Sequence, residues 1–274
     1  MKKRWPIVIG MLLINAIFLM AEETKKIQDN SFLLEEAYNQ EAGVVQHIQV
    51  WQYDWNSQGW VYSFTQEWPV PGQKHQLSFT IPVSHLEEGE KRTGLNDIAL
   101  NYRYQLLFKE RIAVAPRFSV LFPSGSYKKG MGTGSLGLQM ALPESIELAE
   151  KWVTHWNLGC TYILANHEPG GSKADTFAFN YGASLIYLAS ANLNLMCEVV
   201  GGMVQMVQPE TDSLSSPTTW TDSLIINPAF RYAFNFKSGL QIVAGLGFPI
   251  GIGPAKGQSG VLLYLSFEHV MFKI

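Results

Sequence analysis

The sequence predicts an all-β protein, a transmembrane antiparallel up-and-down β-barrel of about twelve strands, and three observations predict it. From residue 44 onward one pattern recurs: an alternating run of about 10 to 15 residues, then a turn signal, then another run. The connections alternate between short and long. Each run pairs a long apolar face with a face that tolerates charge in mid-strand, as a wall between lipid and a polar interior requires.

The chain opens on an export signal. Lys2, Lys3 and Arg4 form a basic start, Pro6 to Met20 is an apolar run of about fifteen residues, and Ala21 is a small residue before Glu22 and Glu23. The run falls short of the roughly 20 residues that a membrane helix needs, so cleavage after Ala21 is expected, making 1–21 a signal peptide. No later segment offers 18 consecutive apolar residues, the minimum for a helical span. The expected destination is therefore the cell outer membrane. Residues 22–43, which include SFLLEEAYNQEAG, form either a periplasmic lead-in or a plug folded into the bore; the lead-in is the simpler expectation, because chain termini are loosely held.

The barrel itself is expected over 44–274. Its runs lie near 44–55, 60–70, 74–87, 95–108, 111–123, 134–143, 151–163, 176–188, 192–207, 222–235, 239–250 and 260–272, each close to the 9 to 11 residues of a tilted membrane strand. The segment LPESIELAEKW leaves a helical turn or a loop open around Pro143 to Lys151. Short connections fall at VPGQ, KER, SAN and KSG, with a slightly longer one near Glu144 to Glu150. Long polar ones fall between them at EEGEKRTG, GSYKKGMGTG, ANHEPGGSKAD, PETDSLSSPTTWTD and GIGPAKGQ. Short turns at one end and long loops at the other, with an even strand number, place both termini on the periplasmic side. NSQG at 56–59 departs from this, being short on the outer end.

The run RIAVAPRFSVLF shows the two faces. Ile112, Val114, Pro116, Phe118, Val120 and Phe122 fall on one side, and Arg111, Ala113, Ala115, Arg117 and Ser119 on the other. The same separation sets Ile98, Leu100, Tyr102, Tyr104 and Leu106 against Asp97, Ala99, Asn101, Arg103 and Gln105, and Phe230 and Tyr232 against Asn227 and Arg231. Alternation of this kind assigns Glu67, Asp97, Arg103, Arg117, His155, Glu198, Arg231 and Glu268 to the lumen. There they either pair across the bore or guide a solute, since charged rings set selectivity. Trp60, Trp68, Trp152, Trp156, Tyr187 and Tyr232 fall mostly toward run ends, where interfacial girdles sit. Cys160 and Cys197 lie on apolar faces and read as small hydrophobes with no disulfide between them.

The stretches TGLNDIALNYRYQLL, RIAVAPRFSVLFPSGSYKKGMGTGSLGLQMALPESI and THWNLGCTYIL carry a Gly-x-x-Asp strand, a Pro-x-Gly where a loop begins and a Gly-Thr-Gly turn. In these motifs, mainly over residues 92–164, the chain resembles the outer-membrane transporter family named for the meta-pathway of phenol degradation. The resemblance implies a barrel that passes small, often aromatic or hydrophobic, molecules. It also implies outer-membrane lipid as surroundings and the barrel-assembly machinery as a partner during insertion. The sequence departs from the family in Asn96, where a Gly often stands, and in a chain that finishes on Ile274 with Phe272 two residues earlier, where such barrels usually finish on an aromatic residue.

Composition excludes other classes. With 47% hydrophobic and 16% charged residues the chain is too polar for a helical membrane bundle, and a net charge of -3 without basic clusters argues against nucleic acid. No Gly-x-Ser-x-Gly, His-Glu-x-x-His or phosphate-binding Gly-rich loop is present, so no enzyme and no cofactor or metal is expected. An outer-membrane lipid-modifying hydrolase assembled by proximity, and a non-transporting structural barrel, are the alternatives to a channel.

Overall fold

The computed structural model describes residues 29–70, 72–87, 89, 91–209 and 216–271. The expected signal peptide and the final residues after Met271 lie outside the described residues. The strands in chain order are β1 (Val44–Asp54), β2 (Trp60–Pro69), β3 (His75–Leu86), β4 (Arg92–Leu95), β5 (Ile98–Tyr104), β6 (Leu107–Lys109), β7 (Ile112–Val114), β8 (Arg117–Phe122), β9 (Gly137–Ala149), β10 (Trp152–His167), β11 (Lys173–Leu188), β12 (Leu193–Val207), β13 (Thr218–Asn235), β14 (Gln241–Gly247), β15 (Ile250–Gly251) and β16 (Gly260–Val270).

These strands make twelve crossings of one antiparallel wall, because β4–β6, β7–β8 and β14–β15 are interrupted pieces of single crossings. Each crossing pairs with the next, and β1 returns to β16 in a ladder from Val44 opposite Val270 to Asp54 opposite Gly260. The sheet is therefore a closed barrel. Closure removes the edges, the one arrangement in which a sheet keeps every backbone group bonded in lipid.

Two of the interruptions fall on prolines, Pro116 and, between β14 and β15, Pro249, which cannot donate to a ladder. At Pro116, between β7 and β8, the wall is held by Ala115 N–H donating to Pro143 O (3.1 Å) and Tyr104 N–H donating to Pro116 O (3.0 Å). The adjoining strand carries a bulge: Arg103 faces Arg117 and Leu107 faces Val114, so four steps (103 to 107) oppose three (114 to 117). The extra residue lies around Gln105, whose side chain is buried.

The alternation expected from the sequence holds, with exposure inverted relative to a soluble protein. Ala113, Ala115 and Ser119 are fully buried, whereas Phe118 and Phe122 are 42% and 43% exposed. Arg231 and Asn227 are likewise buried opposite the exposed Phe230. Leu100, Tyr102, Phe177, Phe179, Leu195 and Leu263 extend the outer apolar belt around the wall. A belt of this size around the wall marks a surface made for an apolar solvent. Both cysteines are free thiols.

Several boundaries differ from expectation. β9 runs on to Ala149, so Pro143 to Lys151 makes neither a helical turn nor a long connection. Ser145 pairs with His155 on one side and Ala113 on the other, and pairing on both sides overrides the charges that blur the alternation. β13 begins at Thr218, four residues earlier than its run suggested. Trp156 lies in mid-strand, away from any girdle. The short connections and the junctions with Val44 and Val270 share one end of the barrel, and 123–136, 168–172, 208–209, 216–217 and 252–259 lie at the other, together with the short 55–59.

A closed wall of this kind should resist mild detergent denaturation. Unheated protein is expected to migrate faster than heated protein in a mildly denaturing gel and to give a β-type circular dichroism spectrum. Mainly helical dichroism would contradict the fold.

Candidate functional site in the bore

Residues 29–43 enter none of the strands, so their backbone N–H and C=O groups need partners from elsewhere. The inward side chains of the wall supply them. Glu198 of β12 accepts the N–H groups of Leu33 (2.9 Å) and Leu34 (3.2 Å). Asn157 of β10 accepts the N–H of Glu35 (2.9 Å) and donates to its carbonyl (2.8 Å), a reciprocal amide pair. Ser145 of β9 accepts from Ala37 (2.8 Å), Gln105 accepts from Asn39 (2.9 Å), and Gln76 of β3 accepts from Gln40 (2.8 Å). The segment is thereby laced to the wall as a strand would be to a neighbour, but by side chains.

The three arginines converge on the same segment. Arg117 of β8 forms a fork with the Glu35 carboxylate, Nε to Oε2 at 2.9 Å and Nη2 to Oε1 at 2.6 Å, and also donates to Asn101 and Gln139. Paired donors of this kind fix orientation as well as charge. Arg103 of β5 donates to Asn39 Oδ1 (3.0 Å), Glu36 O (3.0 Å) and Tyr38 O (2.9 Å), with the Glu67 carboxylate 3.7 Å away. Arg231 of β13 donates to the carbonyls of Asp29 (2.8 Å) and Asn30. Asp29 in turn accepts from Gln46 (3.0 Å), Tyr264 and Ser266, which ties the segment to the β1–β16 seam.

Apolar contacts seat it further. Phe32 stacks on Tyr264 with ring centroids 4.8 Å apart, and a Cβ added at Gly245 would stand 2.2 Å from the Phe32 ring. At Gly182 an added Cβ would stand 2.7 Å from Leu34. Ala37 packs against Ala113 and Ala115. The small residues on the inner face are thus places where the segment comes close.

Of the eight residues that alternation assigned to the lumen, Arg103, Arg117, Arg231 and Glu198 bond the segment directly. Glu67 accepts from Gln76 (2.7 Å), which holds Gln40. His155 meets Ser145 at 2.8 Å, and Glu268 is buried opposite Gln46 and Gln241. The acids and arginines do not simply pair across the bore, because the segment lies among them. Asp97 has a different place. It sits at the β4–β5 break and accepts from Gly125 N (3.1 Å), Thr133 N (2.7 Å) and Thr133 Oγ1 (2.7 Å), fastening the loop 123–136 over that end.

The Gly-x-x-Asp, Pro-x-Gly and Gly-Thr-Gly motifs therefore meet in one knot. A Cβ at Gly94 would stand 2.6 Å from Met131 Sδ, and Gly132, with φ +81°, packs against the Asp97 carboxylate. Asn96 uses its side chain on Ser84. Neutral partners such as Gln76, Ser145 and Asn157 are not marked by charge in the sequence, although the two-residue period puts each on the inward face with Gln105. Among the described residues no group of three or more His, Cys, Asp or Glu side chains is placed to hold a metal ion.

A family model described as MetA-pathway of phenol degradation matches residues 23–267. Among solved structures the chain is similar to an outer membrane channel from Pseudomonas putida F1, with 12% identity and a TM-score of 0.60 over 89% of this chain and 99% of that one. It is also similar to the NanC porin (8% identity, TM-score 0.50, 84% of this chain and 100% of that one) and the KdgM porin (9% identity, TM-score 0.50, 82% and 98%). At such identities the likeness is one of fold. A search of curated protein sequences gives no match.

Two outcomes follow from the contacts. Glu198→Ala leaves two N–H groups of the segment unpaired, at a cost of about 2 kcal/mol, so exchange at the Leu33 and Leu34 amides should rise roughly 30-fold; unchanged protection would contradict the contact. Asp97→Ala should speed tryptic cleavage at Lys128 and Lys129 by about tenfold while the barrel keeps its heat-dependent migration. Equal cleavage would show that the loop is held by something else.

Proposed function

The chain belongs to the MetA-pathway of phenol degradation family, and we propose that it is an outer-membrane channel for small solutes whose bore is occupied by its own segment 29–43. Supporting the membrane setting are the closed wall, the outer apolar belt and the division of connections into a short-turn end and a long-loop end. In this reading the short-turn end is periplasmic, residues 1–21 direct export, and the barrel-assembly machinery inserts the chain among outer-membrane lipids.

The observation that carries the occupied bore is the distribution of partners: β1, β3, β5, β8, β9, β10, β12, β13 and β16 each bond residues between Asp29 and Gln40. Contacts from all round a closed wall have one geometric source, a chain running through its middle. In this reading residues 29–43 act as a plug rather than a lead-in, and seven of the eight inward charged or imidazole residues face it. Asp97 serves the loop instead.

The cargo follows from the family and from the wall. A bore filled by fixed donors and acceptors obstructs large polar solutes, and the family description points to small aromatic compounds. The hydrolase alternative is disfavoured at the buried Ser145–His155 pair: Ser145 Oγ lies under the Ala37 amide, and among the described residues no hydrogen bond links His155 to a carboxylate. A nucleophile needs an oriented base and an open approach.

Deletion of residues 29–43 should raise single-channel conductance in planar bilayers severalfold over the full chain. In the deleted background, Arg117→Glu or Arg231→Glu should shift selectivity toward cations, because a charge in a narrow bore acts with little screening. Equal conductance with and without the segment would refute its role as a plug. Absence of conductance and of solute flux in both forms would refute the channel.

A further inference from the structure

Glu144 is a carboxylate on the outer face of the wall. Its neighbour Ser145 is fully buried and bonds the segment in the bore, so Glu144, one residue earlier on β9, points outward. Across the strands it faces Trp156 of β10 and Val114 of β7, and along β9 its outward neighbours are Leu142 and Ile146. On β10, Trp156 lies four residues from Trp152 (156 - 152) and six from Tyr162 (162 - 156). Trp152 packs on Tyr187 at 4.9 Å and Tyr162 packs on Phe177 at 4.7 Å, and these pairs stand toward opposite ends of the apolar belt. Glu144 therefore sits near mid-height. Among the described residues its side chain has no hydrogen bond or ion pair.

Beside it runs an outward groove of about 460 Å³, walled by Leu142, Trp156, Leu158 and Tyr181, with Ala183 giving it depth and Glu144 as its single acid. Acyl chains can fill the apolar part, but they bring no donor for the carboxylate, and a polar group left without one in an apolar medium is unfavourable. The missing complement is an apolar molecule small enough for the groove that carries one O–H or N–H. We propose that Glu144 and this groove form a membrane-facing binding site for small apolar molecules bearing a single hydroxyl or amino donor, phenols among them. The ring lies over Ala183 against Trp156, Leu158 and Tyr181, and the donor points to the Glu144 carboxylate. The site rests on the outer face being the lipid face, and it is independent of what occupies the bore.

The test uses the full-length barrel in phosphatidylcholine nanodiscs, with insertion checked separately by heat-dependent migration. The probes are 4-fluorophenol and 4-fluorotoluene, alike in size and differing in the donor, followed by ¹⁹F line broadening after subtraction of empty nanodiscs. Saturable binding of 4-fluorophenol at least tenfold tighter than of 4-fluorotoluene is expected. Glu144→Leu should abolish that preference, Glu144→Gln, which keeps an acceptor oxygen, should retain most of it, and Ala183→Leu should exclude both probes. Equal binding of the two probes, or a preference that survives Glu144→Leu, overturns the proposal. So does a wild-type dimer that Glu144→Leu converts to monomer, because the carboxylate would then serve a contact between copies. Unchanged bilayer conductance of Glu144→Leu would separate these results from those on the bore.

Discussion

The requirement that every backbone N–H and C=O find a partner governs this molecule twice. In the wall the requirement is met by closure: β16 meets β1 along eleven residue pairs, and no edge remains between the first strand and the last. Inside the wall a stretch of non-strand chain faces the same demand without a sheet to join. It is met there by side chains, and that is why the inner face is so rich in amides and hydroxyls. A bore lined only by charge would leave the amides of Glu35, Ala37, Asn39 and Gln40 without the neutral side-chain acceptors that hold them.

Charge then acts within that frame. Arg103 and Arg231 spend their donors largely on backbone carbonyls, and Arg117 makes the direct carboxylate pair with Glu35. Removing one partner of this half-buried pair leaves the other charge in the bore without its counter-charge. The fixed fork of arginine suits both tasks, which lysine would meet only as a point charge. Ordering this segment costs on the order of 1–2 kcal/mol per residue in backbone entropy, so many donors and acceptors must act together to hold it.

Much of this was legible in the sequence. The two-residue period of RIAVAPRFSVLF separates Ala113, Ala115, Arg117 and Ser119 from Phe118 and Phe122 as the barrel does, because a strand has no other way to present its side chains. The alternation of connection lengths likewise gave the two ends. What was obscured has identifiable causes. In LPESIELAEKW three glutamates and a proline mask a strand whose pairing on both sides is a long-range fact, and Glu144 on an outer face contradicts the simple polarity rule. The role of Asp97 depends on a loop 28 to 36 residues away, which no local pattern reveals. SFLLEEAYNQ reads as a loose lead-in because its partners are scattered over the whole barrel.

The central claim, that residues 29–43 lie packed within the wall, is tested most directly by thiol accessibility at Ser31, which is fully buried. A Ser31→Cys variant, with Cys160 and Cys197 replaced by serine, preserves size at the site. In the folded barrel its thiol should react with a bulky polar maleimide orders of magnitude more slowly than in heat-unfolded protein. Reaction at the same rate in both states would place the segment outside the bore and contradict the account.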